Sequence, residues 1–468
     1  MSRKLRETSL VNAYALQIEN IFARLNRPFL SADAENLAFF LLRAMGSEAR
    51  DYHRPEHALE VAKHLSPVGQ LAALFHDLVY VQVDPTWTLA LEQDLHPFIP
   101  DVNFGVDIRE KYEGLQDPWL KVVVQLFGFE ECALLTPSQG LNEFLSAIVF
   151  YRKLKNFLVP EELLRGLACI EATIPFRKAD ANGRGPAQQL VERIERILKG
   201  KGHLLFPTPV QSSRIVKECT LMVENDLSSF GVESVGEFLS NTWNVMIENY
   251  PALRNEFFTL SEYRSALYGN IRFLSTLDAR TLYWTDLTSV DLNHEKLIRR
   301  TALNLTLGEE YLKAIAITVA LLEAFALQTG GEGAFQLFWG PFKRSREHAL
   351  VNMDKLLQGT TDPHLSGERM NVYGILKLGR KNRSRFDAKT SALSAWLYAR
   401  LTSEKFTFIF EQFKQFHAGK ISADEYLLCF DLHCLVDVIT LLEQTALTRK
   451  RVLADLKQIF VRYAKNAS

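Results

Sequence analysis

The chain has 468 residues with 54 basic and 55 acidic side chains, a formal net charge of −1, and 47% hydrophobic against 23% charged residues. This is the balance of an ordinary globular protein long enough for two or more cores, and it leaves no global field to draw nucleic acid or anionic lipid. Any attraction for phosphate must therefore be local.

Cysteine usage points the same way. The five residues Cys132, Cys169, Cys219, Cys429 and Cys434 contain no C-x-x-C pair, so the expectation is reduced thiols in a cytoplasmic protein with no zinc ribbon. The basic start Met1–Thr8 is followed by no apolar run of signal-peptide length. The early run Leu37–Leu42 and the later run Ala314–Leu322, bounded by Lys313 and Glu323, are both too short for a bilayer. No membrane partner is expected.

In chain order, residues 9–25 alternate at helical spacing, and Ser31 N-caps a second helix through Phe39, Phe40 and Leu42. The stretch from Asp51 to Asp77 then concentrates the chemistry. Pro55 suits the first turn of a helix through Ala58 and Val61, which leaves His53 in the entering loop and His57 about one turn in. Leu71–Phe75 reads as a buried apolar helix ending in His76 and Asp77. An adjacent His-Asp after such a run costs desolvation energy unless something pairs with it, and a divalent cation is one such partner.

The segment 84–118, with Pro85, Pro97, Pro100 and Pro118, reads as an irregular connection with short helices of a length that often covers a site. Thr136-Pro-Ser-Gln139 opens a helix expected to bury Leu141, Phe144, Leu145 and Ile148, with Asn142, Glu143 and Ser146 off that stripe. A helix from Pro160 ends near Ile174 because Pro175 disfavours a helical residue before it. It delivers Glu171, Thr173 and Arg177 to one end. Should they face the site, Arg177 offers a fork of donors to phosphate and Glu171 could orient a ligand histidine or a water. Asn182–Pro186 is a turn, and Pro186–Lys199 a helix stopped by Gly200. No phosphate-cradling glycine motif occurs. The next helix, from near Pro209, carries Glu224 and Asp226 to its C-terminal end, where acids oppose the macrodipole and a compensating cation would relieve them.

Taken together, Tyr52-His53-x-x-x-His57-Ala, the apolar helix and His76-Asp77 resemble the HD superfamily of metal-dependent phosphohydrolases, and the first element is similar to the signature of its cyclic nucleotide phosphodiesterase branch. The resemblance spans roughly residues 30–275. It implies an HD-like all-α bundle, a divalent ion (Mn, Mg, Fe or Zn) on His57, His76, Asp77 and Asp226, and His53 as proton donor. It also implies a small phosphorylated substrate, a nucleotide or cyclic nucleotide, and Tyr52, Glu171, Thr173 and Arg177 are the residues expected to approach it. Two departures stand out. The histidines that some members place after His-Asp are absent from Tyr80 to Pro85, and Thr173–Arg177 stands where others carry a further histidine. The alternative is a regulatory protein that keeps the metal site to hold a nucleotide without turnover.

Beyond about residue 280 the resemblance ends. Helical periodicity continues from Tyr311 to Leu327 and stops at Gly330-Gly331. The polar stretch Gly359–Thr390, with Lys377, Arg380, Lys381, Arg383 and Arg385, reads as solvated surface rather than a nucleic-acid site. His417–Glu425 lacks the acids of a calcium loop, so Ser422 and Glu425 read as a capping box. The expected organisation is an HD-like domain over 1–278 and a C-terminal helical domain over 279–468. Strand-like alternation is sparse, so the class is all-α.

Overall fold

A computed structural model describes residues 3–96, 117–129, 135–200, 205–206, 210–255, 257–284, 292–339, 365–382, 384 and 387–467. Among these residues the secondary structure is helical with no named strand, as expected. Most of the covering segment 97–116, Cys132, Pro209, Arg383 and Arg385 lie outside the described residues. The four described cysteines are free thiols.

Two units divide the chain, and the division differs from the expected one. The first holds Met1–Ser229 and Asp278–Ile298, and the second Phe230–Leu277 and Arg299–Ser468. The physical reason lies in the second unit. Helices α11 (Val235–Asn249) and α12 (Leu260–Ser275) send Trp243 and Tyr263 to Asp387, a partner far along the sequence.

In the first unit, α1 (Arg3–Arg24) and α2 (Ser31–Met45) pack together, and α1 also meets α4 (Pro67–Phe75), whose Val68–Phe75 are all buried. Ser66 caps α4 by accepting from the Gly69 amide, and Pro67 occupies the first turn. Against α4 lie α7 (Leu141–Leu154) and α8 (Pro160–Ala172), which in turn touch each other. Gly166 makes that last contact possible: a Cβ there would sit 2.2 Å from Phe150 Cζ. The unit also holds α3 (Pro55–Val61), α5 (Leu89–Leu95), α6 (Pro118–Phe127), α9 (Pro186–Lys199), α10 (Ser212–Asp226) and the single turn Ala279–Leu282.

One expectation about α7 is corrected. Asn142, Glu143 and Ser146 are buried rather than off the core stripe, because α7 is covered on every side. Asn142 Oδ1 and Ser146 Oγ accept from the amides of Val81 and Val79, 3.0 Å in each case, and so satisfy the chain that follows His76-Asp77. The turn Pro137–Gln139 is a short 3-10 segment, and the α-helix proper starts at Leu141.

The second unit is built on α13, which runs from Leu292 to Gly330 and whose early turns belong to the first unit. This helix is long and apolar enough to cross a membrane by composition, yet 83% of the qualifying window is buried inside the protein, as a core helix is. Its polar first turns hid its start from the periodicity at Tyr311–Leu327. The same unit holds α14 (Gly367–Leu378), α15 (Ala392–Arg400), α16 (Ser403–His417), α17 (Leu432–Thr445) and α18 (Lys450–Ala467), of which α14 packs on α15 and α17 on α18. Ser422 and Glu425 form the expected capping box. Arg380 corrects the reading of the basic stretch: it is 1% exposed and bonded to Asp387. Lys381 remains on the surface, paired with Glu237.

Candidate metal centre

Pro55 opens α3 as its spacing requires, and Tyr14 donates to the Pro55 carbonyl at 2.7 Å, anchoring that first turn. His57 follows in the same helix. His76 is the C-cap of α4, with Asp77 beside it, and Asp226 is the last residue of α10. One donor atom from each of His57, His76, Asp77 and Asp226 lies within 4.8 Å of the others. The far-downstream Asp226 thus reaches the three upstream residues.

The separations can be compared with those an ion would impose. Ligands about 2.1 Å from a common ion stand about 3.0 Å apart at right angles and about 3.4 Å apart in a tetrahedron. Here His76 Nε2 is 2.9 Å from Asp77 Oδ2 and 3.3 Å from Asp226 Oδ1, while His57 Nε2 is 3.0 Å from Asp226 Oδ1 and 3.6 Å from Asp77 Oδ2. These four separations are of the size a small divalent cation would impose, and the chemistry of the donor set, two imidazoles and two carboxylates, suits one. Asp77 Oδ2 is buried and, despite its nearness to His76, has no partner in hydrogen-bond geometry. His76 Nδ1 lies 2.8 Å from the Ala73 carbonyl, which makes Nδ1 the donor and turns Nε2 toward the carboxylates.

The electrostatics are those of a tightly coupled cluster. Burial opposes ionisation of Asp77, but His76, His53 and His57 outweigh it and hold the carboxyl well below the usual range. Asp226 is likewise lowered, with burial overcome by hydrogen bonds from His57 and His76. Burial disfavours the His76 cation, and the two carboxylates still raise its pKa well above the ordinary imidazole value.

Around this cluster stand aromatic groups. The His53 ring lies 6.0 Å from that of His57, between Tyr52 at 4.9 Å and Tyr80 at 4.7 Å. Tyr52 donates to Ser229 Oγ at 2.7 Å, just past the end of α10. Asn225 Nδ2 donates to the carbonyls of Val61 and Lys63, 2.8 Å each, and ties the end of α3 to the end of α10. Of the acidic pair at that helix end only Asp226 joins the cluster; Glu224 turns to His294 Nδ1 at 2.6 Å.

Comparison with family models, curated proteins and solved structures finds no match.

The other expected residues divide. Thr173 and Arg177 line a cleft that also includes Asp226, Leu282 and Trp284. Glu171 does not reach a ligand histidine. It is fully buried, and its carboxylate accepts from Arg177 and Arg193, which joins the end of α8 to α9. Thr173 donates its hydroxyl to the Ile170 carbonyl.

Glu143 is the residue that sequence reasoning missed. Its carboxyl is buried, Oε2 has no partner, and the burial together with Asp77 and Asp226 pushes its pKa up to about 7. A signal was present: Leu141 to Phe150 is apolar on both faces of a helix, which leaves an acid in it no solvated side.

Proposed function

We propose that the first unit is a divalent-metal-dependent phosphohydrolase of the HD type, acting on a nucleotide or cyclic nucleotide. The observation that carries this reading is the convergence of two imidazoles and two carboxylates from three helix ends, with a further imidazole one ring-contact away. Mixed imidazole and carboxylate ligation suits Mn, Fe, Zn or Mg. Such an ion supplies Lewis acidity toward phosphoryl oxygen and a water acidic enough to attack at neutral pH.

The chain's own residues supply the rest. His57, His76, Asp77 and Asp226 would hold the ion, and the bond from His76 to the Ala73 carbonyl orients that imidazole toward it. His53, held between Tyr52 and Tyr80, protonates the leaving oxygen; an imidazole near neutrality is matched to that task. Glu143, a buried carboxyl with no partner at Oε2 and within electrostatic reach of Asp77 and Asp226, is the group available to take a proton from the attacking water. Thr173 and Arg177 border a small cavity of about 10 Å³ next to Asp226, and Arg177 offers phosphate a fork of donors at its edge.

The test is hydrolysis of bis-p-nitrophenyl phosphate and of a panel of nucleotides and cyclic nucleotides, with Mn2+, Fe2+, Zn2+ or Mg2+ added. We expect turnover that EDTA abolishes, and a loss of about 10²- to 10⁴-fold in His53→Gln with metal affinity unchanged. Turnover that survives chelation, or a His53→Gln enzyme as active as wild type, contradicts the reading. Metal and nucleotide binding without turnover on any substrate would leave the regulatory alternative in its place.

A further inference from the structure

Arg50 precedes the His53 loop and is 1% exposed, with Asp84 buried beside it. All five N–H groups of its guanidinium are engaged. Nε and Nη2 form a two-pronged pair with Asp84 at 2.9 and 2.5 Å. Nη2 also donates to the Leu78 carbonyl at 3.1 Å, and Nη1 donates to the carbonyls of Asp77 at 2.6 Å and His53 at 3.2 Å. The guanidinium further lies 5.8 Å from the centre of the Tyr80 ring, the ring that flanks His53.

An ion pair that served stability alone would need only the two prongs to Asp84. Here the other donors close on three main-chain carbonyls, in two segments that carry the expected proton donor and an expected metal ligand. A carbonyl is fixed to its own Cα, so a rigid planar group bonded to the carbonyls of both His53 and Asp77 sets the spacing between those residues. Lysine, with three donors on a flexible stem, could not make all five bonds or hold them in one plane.

We propose that Arg50 and Asp84 are a positioning pair: Arg50 clamps the backbone of His53 to that of Asp77, and Asp84 fixes the plane of the clamp. Its consequence for catalysis rests on the metal-centre reading above. The clamp itself does not.

Two variants separate positioning from plain stabilisation. Arg50→Met with Asp84→Leu removes both charges and keeps the volume, a replacement that buried ion pairs often tolerate. Asp84→Asn keeps the bonds from Arg50 to the carbonyls but leaves its charge uncompensated, so it lowers the melting temperature more. With a merely structural role, Mn2+ affinity and local amide protection follow stability, and Asp84→Asn is the worse variant in every readout. With positioning the order reverses at the site. The double variant weakens Mn2+ binding by about 10- to 100-fold, the usual loss when the groups that orient metal ligands are removed. It also speeds amide exchange over 51–54 and 77–84 while α7 stays protected, and Asp84→Asn loses less on both counts.

Wild-type exchange over 51–54 in the double variant overturns the proposal. Should the double variant not fold, Arg50→Lys replaces it, with faster exchange over 51–54 expected and unchanged exchange overturning. A wild type that binds no Mn2+, with exchange still faster in the variants, sinks the metal-centre reading and leaves the clamp. Wild-type binding with unchanged exchange and affinity in the variants does the opposite.

Discussion

The Asp387 cluster of the second unit and the His57, His76, Asp77, Asp226 cluster of the first both keep ionised groups largely out of water, and they satisfy them in opposite ways. Asp387 Oδ2 accepts from Trp243 Nε1 and Tyr263 Oη at 2.8 Å each and from Arg380 Nη1 at 3.3 Å, while Oδ1 accepts from Arg380 Nη2 and Ser384 Oγ. The Arg380 guanidinium also lies 4.0 Å from the Trp243 ring centre. Both Asp387 oxygens are fully engaged, so the carboxylate is closed to any outside partner, and of the cluster's donors Arg380 Nε alone is buried without an acceptor. In the first unit Asp77 Oδ2 and Glu143 Oε2 are buried without a hydrogen-bond partner, and donor atoms from three helix ends converge. A buried polar network satisfied from within holds a fold together; one whose lone pairs converge with acceptors to spare is arranged around something else.

Breaking the closed cluster should have the largest effect. Asp387→Ala strands the Arg380 charge and two aromatic donors, and we expect a loss of about 3–5 kcal/mol in urea unfolding followed through the second unit. Metal affinity of the folded protein should not change. A loss under about 1 kcal/mol would mean that the network is not the closed structural unit its bonds describe.

Glu143→Gln should act in the other direction. The folded pKa of Glu143 is raised, so its contribution is fully present below the unfolded value of 4.5 and is lost as pH rises through about 7. Removing the ionisable group should therefore stabilise the metal-free protein by about 3 kcal/mol at pH 8 and by less than about 1 kcal/mol at pH 5. Melting curves of the two proteins at both pH values check this. Equal melting temperatures at pH 8 would show that the carboxylate is not strained by its surroundings.

Asp226→Asn should cost the metal-free protein least, on the order of 1–2 kcal/mol at pH 7, because His57 and His76 retain Asp77. Asp226 has a lowered folded pKa, so its contribution is present above its unfolded pKa and is lost as pH falls through the folded one. The difference between the two proteins should shrink in acid. A gap that widens in acid would contradict the assignment of Asp226 as the ionised partner.

What could be read from the sequence was what local chemistry decides. Pro55 announced α3, His76-Asp77 at the end of an apolar run announced a buried charge, and Pro175 the end of α8. Asp226 was found through resemblance rather than physics, since nothing local shows that it meets His57. Glu143 is hidden because helical periodicity marks one stripe as core, whereas α7 is enclosed all round. Arg380 was hidden inside a basic run because its partner Asp387 gives no periodic signal. The boundary between the units failed for the same reason: the bond from Trp243 to Asp387, which places α11 with the second unit, joins residues 144 positions apart.

The account turns on a cation at His57, His76, Asp77 and Asp226, and the most direct measurement is elemental analysis of the purified chain after incubation with Mn, Fe, Zn or Mg. Stoichiometric metal in the wild type and in Asp387→Ala, lost in both Asp77→Ala and Asp226→Ala, is the predicted result. No metal in the wild type, or metal kept at the wild-type level in Asp77→Ala and Asp226→Ala, would contradict it.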